Sequence, residues 1–257
     1  MASAMITGLL ARGQATEQIY VVETDAGARE RIERELKVTA GQDSTVAAQA
    51  ELLVLAVKPQ QLEALARAIS PLLETQLIFS IAAGIPTALL SQWLGGYQRI
   101  VRAMPNTPAQ IQAGLTGLYA TPAVDSYGRA MAETIAAASG DYFWVEHEDA
   151  IDAVTALSGS GPAYVFYLIE AMQQAAEQLG FDAQLARRIS TETFLGASLL
   201  ASHSAESAAT LRQRVTSKGG TTERAIASLD ASGVKRHFIG AIEAAYQRAV
   251  ELGKTKC

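Results

Sequence analysis

The stretch ELLVLAVKPQ, residues 51–60, carries six consecutive apolar side chains, Leu52 to Val57, between a glutamate and the pair Lys58-Pro59. An unbroken apolar run of that length reads as a strand buried on both faces. Pro59 ends it, because proline has no N–H to give to a ladder. Similar pieces lie on either side. Ile19-Tyr20-Val21-Val22 is a short strand, and a charged helix follows it from about Ala26 to Leu36. Leu77 to Ile81 and Ile100 to Met104 are two more strands, the second ended by Pro105, with helical segments near residues 60–70 and 86–94. Ahead of them all, Met1, Met5, Leu9 and Leu10 recur at helical spacing, and Gly13 stops that helix as a left-handed cap does. Strand–helix alternation of this kind predicts a mostly parallel sheet covered on both faces. Leu115 to Ala120 and Tyr142 to Val145 read as later strands near an edge.

From about Ala150 onward the pattern changes to alanine-rich helices. Breaks fall at Ser158-Gly159-Ser160-Gly161-Pro162, at Gly180, at Ser202 to Ser204, at Lys218-Gly219-Gly220 and at Gly233. Helices apolar over so much of their circumference form a bundle and predict self-association. The expected organisation is an α/β domain over residues 1–150 and an all-α domain over 151–257.

Composition narrows the function. The chain of 257 residues is 49% hydrophobic and 18% charged, with net charge −5 and no long run of one sign. No basic footprint marks a nucleic-acid partner. No window approaches the ~20 apolar residues that span a membrane, and the N-terminus lacks the pattern of a secretory signal. The single cysteine, Cys257, allows no internal disulfide and fits a reducing cytoplasm.

Three loops rich in small residues follow successive strands: Ala56-Val57-Lys58-Pro59-Gln60, Ser80-Ile81-Ala82-Ala83-Gly84, and Arg102-Ala103-Met104-Pro105-Asn106-Thr107-Pro108. In an open parallel sheet, ligands bind at the carboxyl ends of strands. Any one of these loops alone is ordinary turn chemistry; three on one edge let a flat cofactor lie against backbone. A fourth loop, Thr216-Ser217-Lys218-Gly219-Gly220-Thr221-Thr222, leads into a helix. Its glycines bare N–H groups at the positive end of the helix dipole, which seats a carboxylate or phosphate. The alternative is a plain helix start whose threonines satisfy the first N–H groups.

The strings AVKPQ (56–60), SIAAGI (80–85), RAMPNTPA (102–109), DAVTALSGSGPAYVF (152–166) and TSKGGTT (216–222) resemble the pyrroline-5-carboxylate reductase family, in the family's order and over essentially the whole chain. The last two strings are the most specific. The resemblance implies an α/β Rossmann-type N-terminal domain followed by an all-α dimerisation domain, a homodimer or a larger ring of dimers, and an active site where two subunits meet. It implies hydride transfer from NADPH or NADH to the C=N carbon of 1-pyrroline-5-carboxylate, the last step of proline biosynthesis. By position, Ala56, Val57, Lys58, Pro59, Ile81, Ala82 and Ala83 line the nicotinamide and its ribose, with Met1, Glu23, Thr24 and Asn106 also at the cofactor. Ser217, Gly219, Gly220, Thr221 and Thr222 hold the substrate, the Thr222 hydroxyl lying near the ring nitrogen as the catalytic contact. An iminium already accepts hydride well, so the site needs orientation more than a strong acid.

Other residues read more plainly. His147, His203 and His237 are dispersed, so no metal is assigned. Glu148 and Asp149 read as helix-start charges, and Trp93 and Trp144 as packing residues. Two features depart from the family pattern. Family members place a strand and a glycine-rich turn before the helix that starts here at Met1, so roughly ten further residues are expected upstream. Secondly, Glu23-Thr24-Asp25 puts an acid at the strand end, which suits a free ribose 2′-hydroxyl and repels a 2′-phosphate. Rival readings are a related imine or β-hydroxyacid reductase, which the TSKGGTT loop opposes, and a catalytically dead helical oligomer, which the intact loops oppose.

Overall fold

The computed structural model describes residues 1–254, and Cys257 lies outside the described residues. The chain divides into two compact units, one of Met1–Pro162 with the segment from Ala245 onward, the other of Ala163–Ala244.

The first unit runs α1 (Ala2–Ala11), β1 (Tyr20–Val22), α2 (Ala26–Leu36), β2 (Thr39–Gly41), β3 (Leu52–Leu55), α3 (Pro59–Ile69), β4 (Leu77–Ser80), α4 (Thr87–Trp93), β5 (Ile100–Met104), β6 (Gly114–Ala120), α5 (Ser126–Ala137), β7 (Gly140–Trp144) and α6 (Ala150–Val154). Strands β3-β4-β5-β6-β7 form one sheet in that order, while β1 and β2 pair with each other. Pairing is parallel throughout except between β5 and β6. The apolar run at 52–57 is strand only as far as Leu55; Ala56 and Val57 already belong to the loop before α3.

Both faces of the sheet are covered, as expected of such strands. Leu55, Ile78 and Ile100 pack with Leu62 and Ala66 of α3 and with Leu89, Leu90 and Trp93 of α4. Leu77, Phe79, Val101, Ala103 and Leu118 pack on the opposite side with Met5 of α1 and Ala132 and Ala136 of α5. Each fully buried large side chain, such as Leu62 or Phe79, contributes about 1.5–3 kcal/mol through the area it withdraws from water. Helix α1 ends as its glycine foretells. Gly13 has φ +92°, and the N–H groups of Gly13 and Gln14 donate to the carbonyls of Leu10 and Leu9, a Schellman pairing.

Two elements of this unit carry no clear sequence signal. β2 holds no large apolar side chain, and its pairing with β1 alone makes it a strand. α5 has a narrow apolar face, and Asp125 caps it by accepting from the Gly128 N–H at 2.8 Å. The compact division falls at Pro162, later than residue 150. Ile151 and Val154 of α6 are buried, with Val154 over Gly117 of β6, so α6 packs with the sheet.

The second unit is helical: α7 (Gly161–Gln178), α8 (Ala183–His203), α9 (Ala208–Arg214), α10 (Thr221–Ala231) and the first part of α11 (Val234–Lys254). Asp182 caps α8 through the Leu185 N–H and Ser207 caps α9 through the Thr210 N–H. Much of its apolar surface is uncovered, with Phe166 at 63% exposure, Tyr167 at 72% and Leu200 at 58%.

Candidate active site

Parallel pairing of β3, β4 and β5 puts the three small-residue loops on one edge of the sheet. After β3, Ala56 and Lys58 are exposed and Val57 is half-buried. Lys58 is the N-cap of α3 and Pro59 its first residue. The fixed φ of proline suits that place, and its missing N–H has no partner to lose there. After β4, the Ile81 N–H donates to the Leu55 carbonyl at 3.2 Å and so holds the second loop against the first. Ala82, Gly84 and Ile85 are buried, whereas Ala83 is exposed. The loop thus offers one small side chain outward on a fixed base, which fits the close approach of a flat ring. Leu252 near the end of α11 packs on Gly84, whose φ is +68°.

Asn106 opens the loop after β5, and both ends of its amide are committed within the fold. Its Oδ1 accepts from the Leu115 N–H at 2.9 Å, and its Nδ2 donates to Ser158 Oγ at 3.1 Å. Ser158 lies in Thr155–Gly159, a π-helical turn, and Gly159 leaves room for Met104 at the end of β5. π-turns of this sort recur at functional sites.

At the end of β1, Glu23 Oε1 accepts from the Asp25 N–H at 3.0 Å, and Thr24 is exposed. Arg29 places a guanidinium at the same spot, donating through Nη1 to the carbonyls of Glu23 and Thr24 at 2.8 Å each. The acid read from the sequence therefore has a cation beside it that the sequence did not single out. Met1 is exposed and immediately precedes α1.

A buried ionic cluster lies on the α4 side of the sheet. Arg102 of β5 is 4% exposed and donates to Glu148 at 3.2 Å and to Asp152 at 2.9 Å. Glu148 also accepts from the backbone N–H of Thr87 at 2.7 Å and from its hydroxyl at 2.6 Å. Glu148 does stand just before a helix, α6, yet the helix it caps is α4. The cluster is not visible in the sequence, because Thr87 and Arg102 lie tens of residues from Glu148 and Asp152.

In the second unit, the 216–222 loop enters α10 with Gly220 as N-cap and no side-chain cap. Gly219 has φ +76°, a left-handed conformation that side chains other than glycine rarely adopt. The Gly219 N–H donates to Glu223 Oε2 at 2.7 Å, and the Gly220 N–H to the Ser217 carbonyl at 3.0 Å. Two of the expected anion donors are thus engaged inside the loop. The uncapped first turn, where Thr221 is exposed and Thr222 half-buried, supplies the remaining ones. Among the described residues, no group of three or more His, Cys, Asp or Glu is placed to hold a metal ion, and no helix is long and apolar enough to cross a membrane.

A sheet of this order with small-residue loops at its strand ends, followed in the chain by an all-α unit with a glycine-rich helix start, has the layout that the two matching family models describe, a nicotinamide-dinucleotide oxidoreductase domain and a helical dimerisation domain. Residues 1–84 match the family described as NADP oxidoreductase coenzyme F420-dependent, and residues 148–252 the family described as pyrroline-5-carboxylate reductase dimerisation. The pyrroline-5-carboxylate reductase of Pseudomonas aeruginosa is 44% identical over 99% of this chain and 94% of its own length. That of Haemophilus influenzae is 37% identical over 98% of this chain and 94% of its own. A solved pyrroline-5-carboxylate reductase from Coxiella burnetii superimposes with a TM-score of 0.92 at 42% identity, covering 98% of this chain and 94% of that one. A Plasmodium falciparum pyrroline carboxylate reductase solved with NADP bound gives 0.87 at 25% identity over 98% and 94%. The chain belongs to the pyrroline-5-carboxylate reductase family.

Proposed function

We propose that this protein reduces 1-pyrroline-5-carboxylate to L-proline with NAD(P)H. The observation that carries the reading is the TSKGGTT helix start. Its uncapped first turn fits a carboxylate, and it occurs in a chain akin to reductases of that name over nearly its whole length. When bound, the nicotinamide supplies a hydride to the C=N carbon, and the imine nitrogen carries the proton that completes the amine.

The roles of the protein groups are those that the family resemblance implies for these positions. Ala56, Val57, Lys58, Pro59, Ile81, Ala82 and Ala83 would bear the nicotinamide end of the dinucleotide, Ala83 being the small side chain that its loop presents outward. Glu23 and Thr24 meet the adenosine ribose, and Met1 lies along the cofactor. Asn106 acts by shaping the third loop, since its amide is already committed. Thr221 and Thr222 N–H groups, with Ser217, Gly219 and Gly220 shaping the turn, orient the substrate carboxylate, and the Thr222 hydroxyl meets the ring nitrogen. Holding the iminium and the hydride donor in line is the larger part of catalysis here. Residues 1–150 serve the dinucleotide, and 151–257 serve the substrate and dimerisation. The working species is a homodimer joined through the helical unit, on the support of its uncovered apolar side chains and the dimerisation family matched at 148–252. The lone cysteine supports a reducing, cytoplasmic setting.

The test is the initial rate of NAD(P)H oxidation by the purified protein as 1-pyrroline-5-carboxylate is varied. Saturable oxidation that depends on the imine is expected. Cofactor binding without imine-dependent oxidation would refute the assignment.

A further inference from the structure

We propose that Glu148 is a positioning residue for the dinucleotide loop at 81–85, acting through Thr87 and held in place by Arg102 and Asp152. The inference rests on the reading above that this loop bears the nicotinamide. Thr87 is the first residue of α4 and stands two positions after Ile85. α4 has no cap of its own. Glu148, sixty-one residues along the chain, places both carboxylate oxygens on Thr87, one on its N–H at 2.7 Å and one on its hydroxyl at 2.6 Å. A carboxylate at a helix start is favourable against the dipole, and here it also anchors the end of the loop.

The beginning of the loop is anchored to the same cluster. Ser80 pairs with Arg102 across the β4–β5 ladder, and Arg102 donates to Glu148 and Asp152. One arginine and one glutamate therefore bracket residues 81–86 from both ends. Stability alone is a weak reason for such a cluster, because buried ion pairs often contribute no more than apolar side chains of the same shape. A rigid, directional tie between strand, loop and helix is what the cluster supplies. Within it the carboxylate of Glu148 acts on the cofactor loop only through Thr87.

The experiment compares Thr87→Val, Thr87→Ser and Glu148→Gln in the full chain. Thr87→Val keeps the shape and the backbone bond and removes one hydroxyl. Glu148→Gln keeps the reach and removes the charge facing Arg102. Each should raise the KM for NAD(P)H by roughly fivefold to tenfold, near the tenfold that 1.4 kcal/mol represents, with kcat and the imine KM within about twofold of the parent on that same scale. The double variant should raise it by less than the product of the two, since one tie is being cut twice. Thr87→Ser restores the hydroxyl and should return the value to the parent's. Should Glu148→Gln fail to fold, the two Thr87 variants carry the test alone. Ala83→Leu, which crowds the loop face itself, separates the two layers of the argument. If Ala83→Leu raises the NAD(P)H KM but Thr87→Val lowers only the melting temperature, the positioning role is overturned. If Ala83→Leu also leaves that KM unchanged, the loop assignment falls and the positioning role with it.

Discussion

Thr222 stands second in α10, half-buried beside an uncapped helix start, and the contact proposed for its hydroxyl is the substrate nitrogen. Thr222→Ala should therefore lower kcat with little change in NAD(P)H affinity. One oriented hydrogen bond to a charged group is worth about 1.5–3 kcal/mol, or roughly tenfold to a hundredfold in rate. Steady-state kinetics against each substrate in turn reads this directly, and an unchanged kcat would remove Thr222 from the mechanism. On the proposed place of Glu23 at the adenosine ribose, the enzyme should use NADH at least as well as NADPH. A carboxylate there would accept from a free 2′-hydroxyl and repel a 2′-phosphate. Initial rates with both cofactors check this, and Glu23→Ser should move the preference toward NADPH, because Arg29 remains as a cation at the strand end. A strong NADPH preference in the parent would mean that the Glu23 carboxylate points away from the ribose. At this scale the loops at 56–60, 80–84 and 216–222 were legible, since each is a contiguous string. The inner use of the Asn106 amide and of the Gly219 N–H was not, because their acceptors and donors come from folding. The Arg102 cluster was hidden for the same reason.

Helix α1 crosses the end of α5 so closely that a Cβ at Gly8 would lie 1.6 Å from the Ala138 carbonyl oxygen. That obstacle is backbone and cannot swing aside. Gly8→Ala should therefore destabilise the first unit by at least about 1–3 kcal/mol, the cost of overpacking a closed interior, although alanine favours helix elsewhere. Urea unfolding followed by the fluorescence of Trp93 and Trp144 measures it, and a neutral result would show that α1 can shift. Capping of α5 gives a pH dependence with a definite sign. The Asp125 carboxyl is held below its usual range, first by the Gly128 N–H it accepts, with Arg99 adding a favourable charge. A folded value below the unfolded one stabilises fully above the unfolded pKa, and the gain is lost as pH falls through the folded pKa. Asp125→Asn should flatten that acid limb of the stability curve, and an unaltered limb would show the carboxylate is not coupled to folding. Element boundaries were legible at Pro105, just after β5, and at Gly13, just after α1, whereas β3 stops at Leu55 and Pro59 opens α3 instead of ending the strand. β2 and α5 were not legible, since one is a strand by pairing alone and the other has only a thin apolar stripe.

For the whole molecule, the change from strand–helix alternation to unbroken helices was the clearest sequence signal, and it corresponds to the α/β and all-α parts of the fold. The end of the first compact unit was less clear, because α6 looks like the first bundle helix in sequence and yet packs with the sheet. The second unit leaves Phe166, Tyr167 and Leu200 largely exposed, which is the surface proposed to join two copies of the chain. Sedimentation at micromolar concentration should show a dimer or a ring of dimers, and Phe166→Asp should shift it toward monomer. Monomer alone in the parent would contradict the shared helical interface. The central claim is the reduction itself. Its most direct test is to supply NAD(P)H with both hydrogens at nicotinamide C4 replaced by deuterium, together with 1-pyrroline-5-carboxylate, and to examine the product by mass spectrometry and NMR. L-Proline carrying one deuterium at C5 is expected; proline absent, or formed without deuterium at that carbon, would contradict hydride transfer to the imine.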